Sequence, residues 1–81
     1  MRNSQFKWLI RKASQLLEEK VEEERLAEED VELVYELFIE PRLRKISDSF
    51  SDSEEYSEFV NRVRIKLQEI AKELNREKWD D

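Results

Sequence analysis

The chain contains no glycine, no cysteine and no histidine, and only one proline in 81 residues. Tight hairpins and many sheet bulges need residues that accept positive φ, so a glycine-free chain has no cheap way to turn strands. Helices can instead be joined by Ser, Asp and Asn through side-chain capping. Without cysteine there is no disulfide framework, no zinc-finger spacing and no thiol nucleophile, and the redox compartment leaves no mark. The lack of histidine removes the commonest proton-transfer side chain near neutral pH, and with it the Glu-x-x-His pairing of di-iron bundles. Long apolar runs are missing too. Nothing approaches the ~18 residues of a membrane span, and the apolar run near Met1 is too short for a signal peptide. The expectation is a soluble, untargeted chain, cytoplasmic if natural.

What is present points to one thin-cored domain spanning 1–81. A chain this short hides only about 60–65% of the surface its unfolded form exposes. Its apolar content of 38% lies below the usual ~45–50%, partly because Gly and Cys are absent from the tally. The apolar residues nevertheless recur in regular patterns and include Trp8, Trp79 and four Phe, which argues against disorder. The net charge of −6 disfavours nucleic acid, whose binding draws on Lys and Arg.

The patterns predict an all-α, three-helix bundle. Tyr56, Val60, Val63, Leu67, Ile70 and Leu74 alternate steps of four and three, a heptad seam that Phe59 and Ala71 widen, predicting a helix over 52–78. Ser51 followed by Glu54 reads as its capping box, with acids at 52, 54 and 55 favouring the N-terminus. Phe6, Leu9, Ile10, Ala13, Leu16, Leu17 and Val21 form a broad stripe that predicts a helix over about 4–27. No breaker interrupts Glu18 to Asp30, so one helix over 4–40 is the alternative. Lys7, Arg11 and Lys12 near the start and Glu22 to Glu24 near the end oppose that helix's dipole, which favours a break with Asp30 as the next N-cap.

The middle helix is expected over 31–49, kinked or broken at Pro41. Glu32, Glu36 and Glu40 recur every four residues, a narrow wet stripe on a helix, where a half-buried strand would alternate every two. Pro41 lacks a donor and would clash with the carbonyl of Leu37 in a continuous helix, so a variant with four short helices is also open. Leu43, Ile46 and Phe50 continue beyond it with Ile39 as a rotated seam. Residues 47–53, all Ser and Asp around Phe50, read as a connection. In an up-down-up bundle the first and last helices run parallel, which keeps Trp8 and Trp79 at opposite ends.

Constellations with chemistry are scarce. The acid-rich tract from Glu18 to Asp30 has the oxygen ligands that Mg²⁺ or Ca²⁺ prefer, but reads better as a solvated face with local pairs such as Lys20 with Glu24. The run from Asp48 to Glu54 imitates the first half of a calcium loop, yet lacks its sixth-position glycine and has Phe59 where the bidentate Glu belongs. Its serines beside acids also resemble acid-directed kinase sites, as would any Ser/Asp loop. Two basic groups, Arg42 to Lys45 and Arg62 to Lys66, interleave charge with core residues and read as flanking charges rather than a nucleic-acid or membrane patch. No catalytic, cofactor or metal site is predicted.

Surfaces are left as the seat of function. Trp8 lies on the side of Lys12, Gln15 and Glu19, and Ile65 lies opposite the Val60/Val63 seam. The helix around Val31, Val34, Tyr35 and Phe38 is apolar on nearly all sides. Together these six residues are the candidate interaction surface, suited to homo-oligomerisation or helix-in-groove binding.

The missing Gly, Cys and His, the heptad seam, the capping box and the Glu/Lys/Arg-rich surface of strong helix formers resemble computationally designed helical bundles. Pro41 and the glycine-free connections depart from that pattern. The resemblance implies a non-catalytic bundle with a structural or self-assembly role and no natural activity. The alternative is a natural acidic interaction module, an adaptor or inhibitor that binds a basic or helical partner. Neither reading needs a cofactor, a small-molecule substrate, nucleic acid or a membrane.

Overall fold

The computed structural model describes residues 2–80, with side chains from residue 3. Among them there are three helices and no strand. Helix α1 spans Arg2–Val21. Helix α2 runs through Glu28–Val34, a π-helical turn Tyr35–Ile39, and Glu40–Ile46, and closes in the 3-10 turn Ser47–Ser49. Helix α3 spans Ser53–Lys78. At 1.5 Å per residue α3 is about 39 Å long, close to the 43 Å long axis of the molecule.

Cross-links fix the topology. Phe6 meets Phe59 edge-on near the starts of α1 and α3, and the Trp79 Nε1–H donates to the Val21 carbonyl at their ends. Those two helices are therefore parallel. Trp8 stacks on Phe38 in the second half of α2, so α2 runs antiparallel, and Trp8 and Trp79 sit at opposite ends as an up-down-up order requires.

The buried side chains step by four along every helix: Leu9, Ala13, Leu17, Val21; then Val31, Tyr35, Ile39, Leu43; then Phe59, Val63, Leu67, Ala71 and Asn75. The heptad seam expected in α3 is thus displaced. Phe59 and Ala71 lie at its centre, while Tyr56, Val60, Ile70 and Leu74 flank the core half-buried. A row of i, i+4 positions slants across a helix face by about 26°, and each helix supplies such a row to a single core.

Three boundaries depart from the sequence reading. Helix α1 stops at Val21 instead of reaching about 27, and no helix spans 4–40. Continuing through Glu22 to Glu24 would pile carboxylates onto the negative helix end. Helix α2 begins after Ala27, and Asp30 serves from the third helical position: its Oδ2 accepts the Ala27 N–H at 2.7 Å. Helix α3 is capped by Asp52, not Ser51, with Asp52 Oδ1 accepting the Glu55 N–H at 2.8 Å. Asp is at least as good an N-cap as Ser, and its charge complements the dipole.

Pro41 does not divide α2, and no fourth helix forms. The turn before it widens so that the Glu40 N–H bonds to the Tyr35 carbonyl, five residues back. Such a bulge displaces the Leu37 carbonyl from the position where an α-helix would drive it into the proline ring. It also turns each residue through a smaller angle than an α-turn does, so Tyr35, Ile39 and Leu43 stay on the core side. The rotated seam seen in the sequence is absorbed by the widened turn.

Aromatic side chains close the end where α2 meets α3. Phe50, in the connection, packs on Phe59 at 5.1 Å and edge-on against Tyr56 at 5.4 Å. Ser47 and Ser49 donate their hydroxyls to the carbonyls of Arg44 and Ile46, satisfying the end of α2.

Candidate interaction surface

The six residues singled out from sequence divide into three groups. Val31 and Tyr35 are core residues. They are not available to a partner, because the i+4 row of α2 turns them inward. Trp8, Val34 and Phe38 pack half-buried at the core's edge. Trp8 is sandwiched, with Phe38 at 5.9 Å and the Arg42 guanidinium 4.5 Å from its ring. Only Ile65 is largely exposed, at 56%, and its α3 neighbours one turn away are Asn61, Arg62, Gln68 and Glu69. It is a single apolar residue on a polar face, an ordinary feature.

Each basic group lays arginine over an aromatic ring. Arg62 lies 4.5 Å over Phe6, and Arg64 lies 4.0 Å over Tyr35 while bonding Glu32 at 2.9 Å. Arg44 pairs with Glu40 at 2.7 Å and Lys66 with Glu69 at 3.9 Å. Each Arg–aromatic contact contributes about 0.5–1 kcal/mol at a half-exposed site. Burial raises the Tyr35 phenol above its ordinary value, with the charge and hydrogen bond of Arg64 pulling the other way.

The acidic tract likewise has a structural use. Lys20 bridges Glu24 at 3.7 Å and Asp30 at 3.5 Å across the α1–α2 connection. Among the described residues no cluster of three or more acids has the geometry to hold a metal ion, and no helix is long and apolar enough to cross a membrane.

The exposed apolar surface lies elsewhere. Leu37 is 72% exposed and Leu33 48%, one turn apart on the outward side of α2. Phe38 adjoins them and, with the 40%-exposed Leu16 of α1, forms the floor of an open groove of about 550 Å³. Lys12, Glu18, Glu19 and Glu22 edge that groove. Leu16, Leu33 and Leu37 were missed because the sequence reading counted Leu16 as core and, within the apolar 31–39 segment, named Val31, Val34, Tyr35 and Phe38 as the surface. The residues one place after Glu32 and Glu36 were the available signal, since they share the outer side with that wet stripe.

A second feature escaped sequence reasoning. Asn75, only 8% exposed, donates through Nδ2 to the Leu26 carbonyl at 2.9 Å and accepts the Leu26 N–H at 2.8 Å. Beside it, Lys78 pairs with Glu22 at 2.7 Å, and Arg25 is bonded to Asp80, whose carboxyl is held below its usual range by that contact. The end of α3 thereby clamps the α1–α2 connection.

Neither a scan of protein-family models nor searches of curated proteins and solved structures found a match to this chain.

Proposed function

We propose that the protein is a non-catalytic helical bundle that acts by association, with the α1–α2 side as its contact face. The observation that carries this reading is that Leu16 and Phe38 share one groove and Leu33 and Leu37 stand exposed on α2 beside Phe38, in a chain with little apolar surface to spare. Contiguous exposed apolar residues rimmed by polar ones are the common mark of a contact face. The glycine-, cysteine- and histidine-free composition supports the same reading for a designed bundle, whose role is to fold and self-assemble. For a natural chain it supports an acidic module that takes up another helical protein.

Sedimentation velocity across a concentration series separates these two forms. Self-assembly through this face gives a concentration-dependent dimer that Leu37→Ser abolishes and Ile65→Ser leaves intact. A strict monomer leaves only the module form. A dimer insensitive to Leu37→Ser places the contact elsewhere and defeats the reading.

A further inference from the structure

The charge of the molecule is not spread evenly. Residues 18–40 hold eleven acidic and two basic side chains, a formal −9, and the other 58 residues carry +3. This segment builds the second half of α1, the connection, and α2 up to Pro41, so it borders the apolar groove. Seven of the 13 basic side chains elsewhere are turned to aromatic rings or single acids. At the groove, Glu18 and Glu19 have no ion-pair partner among the described residues. Apart from Lys12 and the paired Glu22, the rim beside the apolar floor is therefore acidic and without an ion partner.

We infer that this groove takes a basic amphipathic helix from another protein, with Leu16 and Phe38, and Leu37 beside them, receiving its apolar stripe and Glu18 and Glu19 its Lys and Arg. The inference rests on the α1–α2 side being the contact face. A second copy is the poorer occupant: an isologous contact sets each surface against itself, bringing −9 against −9. Nucleic acid is repelled by the same charge. From Lys12 to Glu22 the groove runs about 15 Å along α1, near three helical turns, enough for apolar side chains at i, i+3 or i+4, and i+7.

The probe is a synthetic amphipathic Leu/Lys helix of about 14 residues, matched by a Leu/Glu helix of identical pattern. Binding is read from Trp8 emission in the Trp79→Phe chain, because Trp8 packs on Phe38 at the groove. The Leu/Lys helix is expected to bind saturably at one to one, at least tenfold more tightly than the Leu/Glu helix, and more weakly as salt rises. Glu19→Lys and Leu16→Ser should each weaken it several-fold. Glu58→Lys, an equal charge change on α3, and Ile65→Ser should leave it near the parent value. All four positions are exposed, so folding is preserved, and circular dichroism checks this.

Equal weakening by Glu19→Lys and Glu58→Lys would mean a response to net charge alone, and the inference falls. No saturable binding by a chain that dimerises through Leu37 overturns the basic-helix occupant while the contact face stands. No binding by a strict monomer overturns both.

Discussion

Asn75 occupies the place where the buried row of α3 calls for an apolar residue, and it answers the two backbone groups of Leu26 that no helix satisfies. Asn75→Ala leaves a buried donor and acceptor unpaired, and urea denaturation should show a loss of about 2–4 kcal/mol. Asn75→Asp tests the polarity of the clamp. A neutral carboxyl can donate to the Leu26 carbonyl, but a carboxylate cannot and is repelled by it, so the folded-state pKa of the new acid is raised. Its stabilising contribution is present below the unfolded value of about 3.9 and is lost as pH rises through the folded one. The variant should match the parent near pH 3 and fall behind at pH 7. Tyr35 obeys the same sign: burial raises its pKa, so its contribution is intact below about 10 and lost above. In a Tyr56→Phe chain, near-ultraviolet absorbance should show Tyr35 ionising at higher pH folded than in urea. Leu43, fully buried, should cost about 2–5 kcal/mol when cut to Ala, whereas Leu37→Ala in the monomer should stay within about 0.5 kcal/mol.

The three helices were legible as elements because each repeats apolar residues over many turns, and a long repeat survives misreading of any single position. Their ends were not. Whether α1 stops at Val21 depends on Leu26 being held by Asn75 and Lys20 reaching Asp30, contacts that no local window contains. The centre of the α3 stripe was displaced because the seam was read in alternating steps of four and three, whereas the buried Phe59, Val63, Leu67, Ala71 and Asn75 are linked by steps of four. In α2 the sequence located the conflict at Pro41, but its resolution lies upstream in the Tyr35–Ile39 turn. That resolution is measurable. A proline inside an α-helix costs about 3 kcal/mol relative to Ala, but here the widened turn has already relieved the clash. Pro41→Ala should therefore raise stability by about 1 kcal/mol or less, and a gain near the full 3 kcal/mol would show that the turn relieves nothing.

For the molecule as a whole, association was predicted from an excess of apolar surface, and the excess exists, but on Leu16, Leu33 and Leu37 rather than on Val31 and Tyr35. Sequence pattern says how many sides of a helix are apolar; only packing says which side the neighbours leave bare. Concentrating −9 in residues 18–40 also makes the bundle repel itself. Salt at about 0.1 M shortens the reach of these charges to ~10 Å, and the exposed ion pairs it weakens contribute little. Thermal stability should accordingly rise between low and moderate salt, by about 4–8 °C for each kcal/mol of repulsion removed. A melting temperature that falls with salt would mean the ion pairs outweigh the repulsion.

The clamp at Leu26 also orders events in time. Synthesis completes α1, the connection and α2 before it reaches Asn75 and Trp79, 49 and 58 residues beyond their partners. Until then the first two helices form a hairpin whose turn has unmet backbone groups, and such a hairpin can open and close freely. The bundle thus becomes committed to its topology only when the last turns of α3 emerge, which makes a chain cut short before Asn75 a different kind of object: helical, but without a fixed corner.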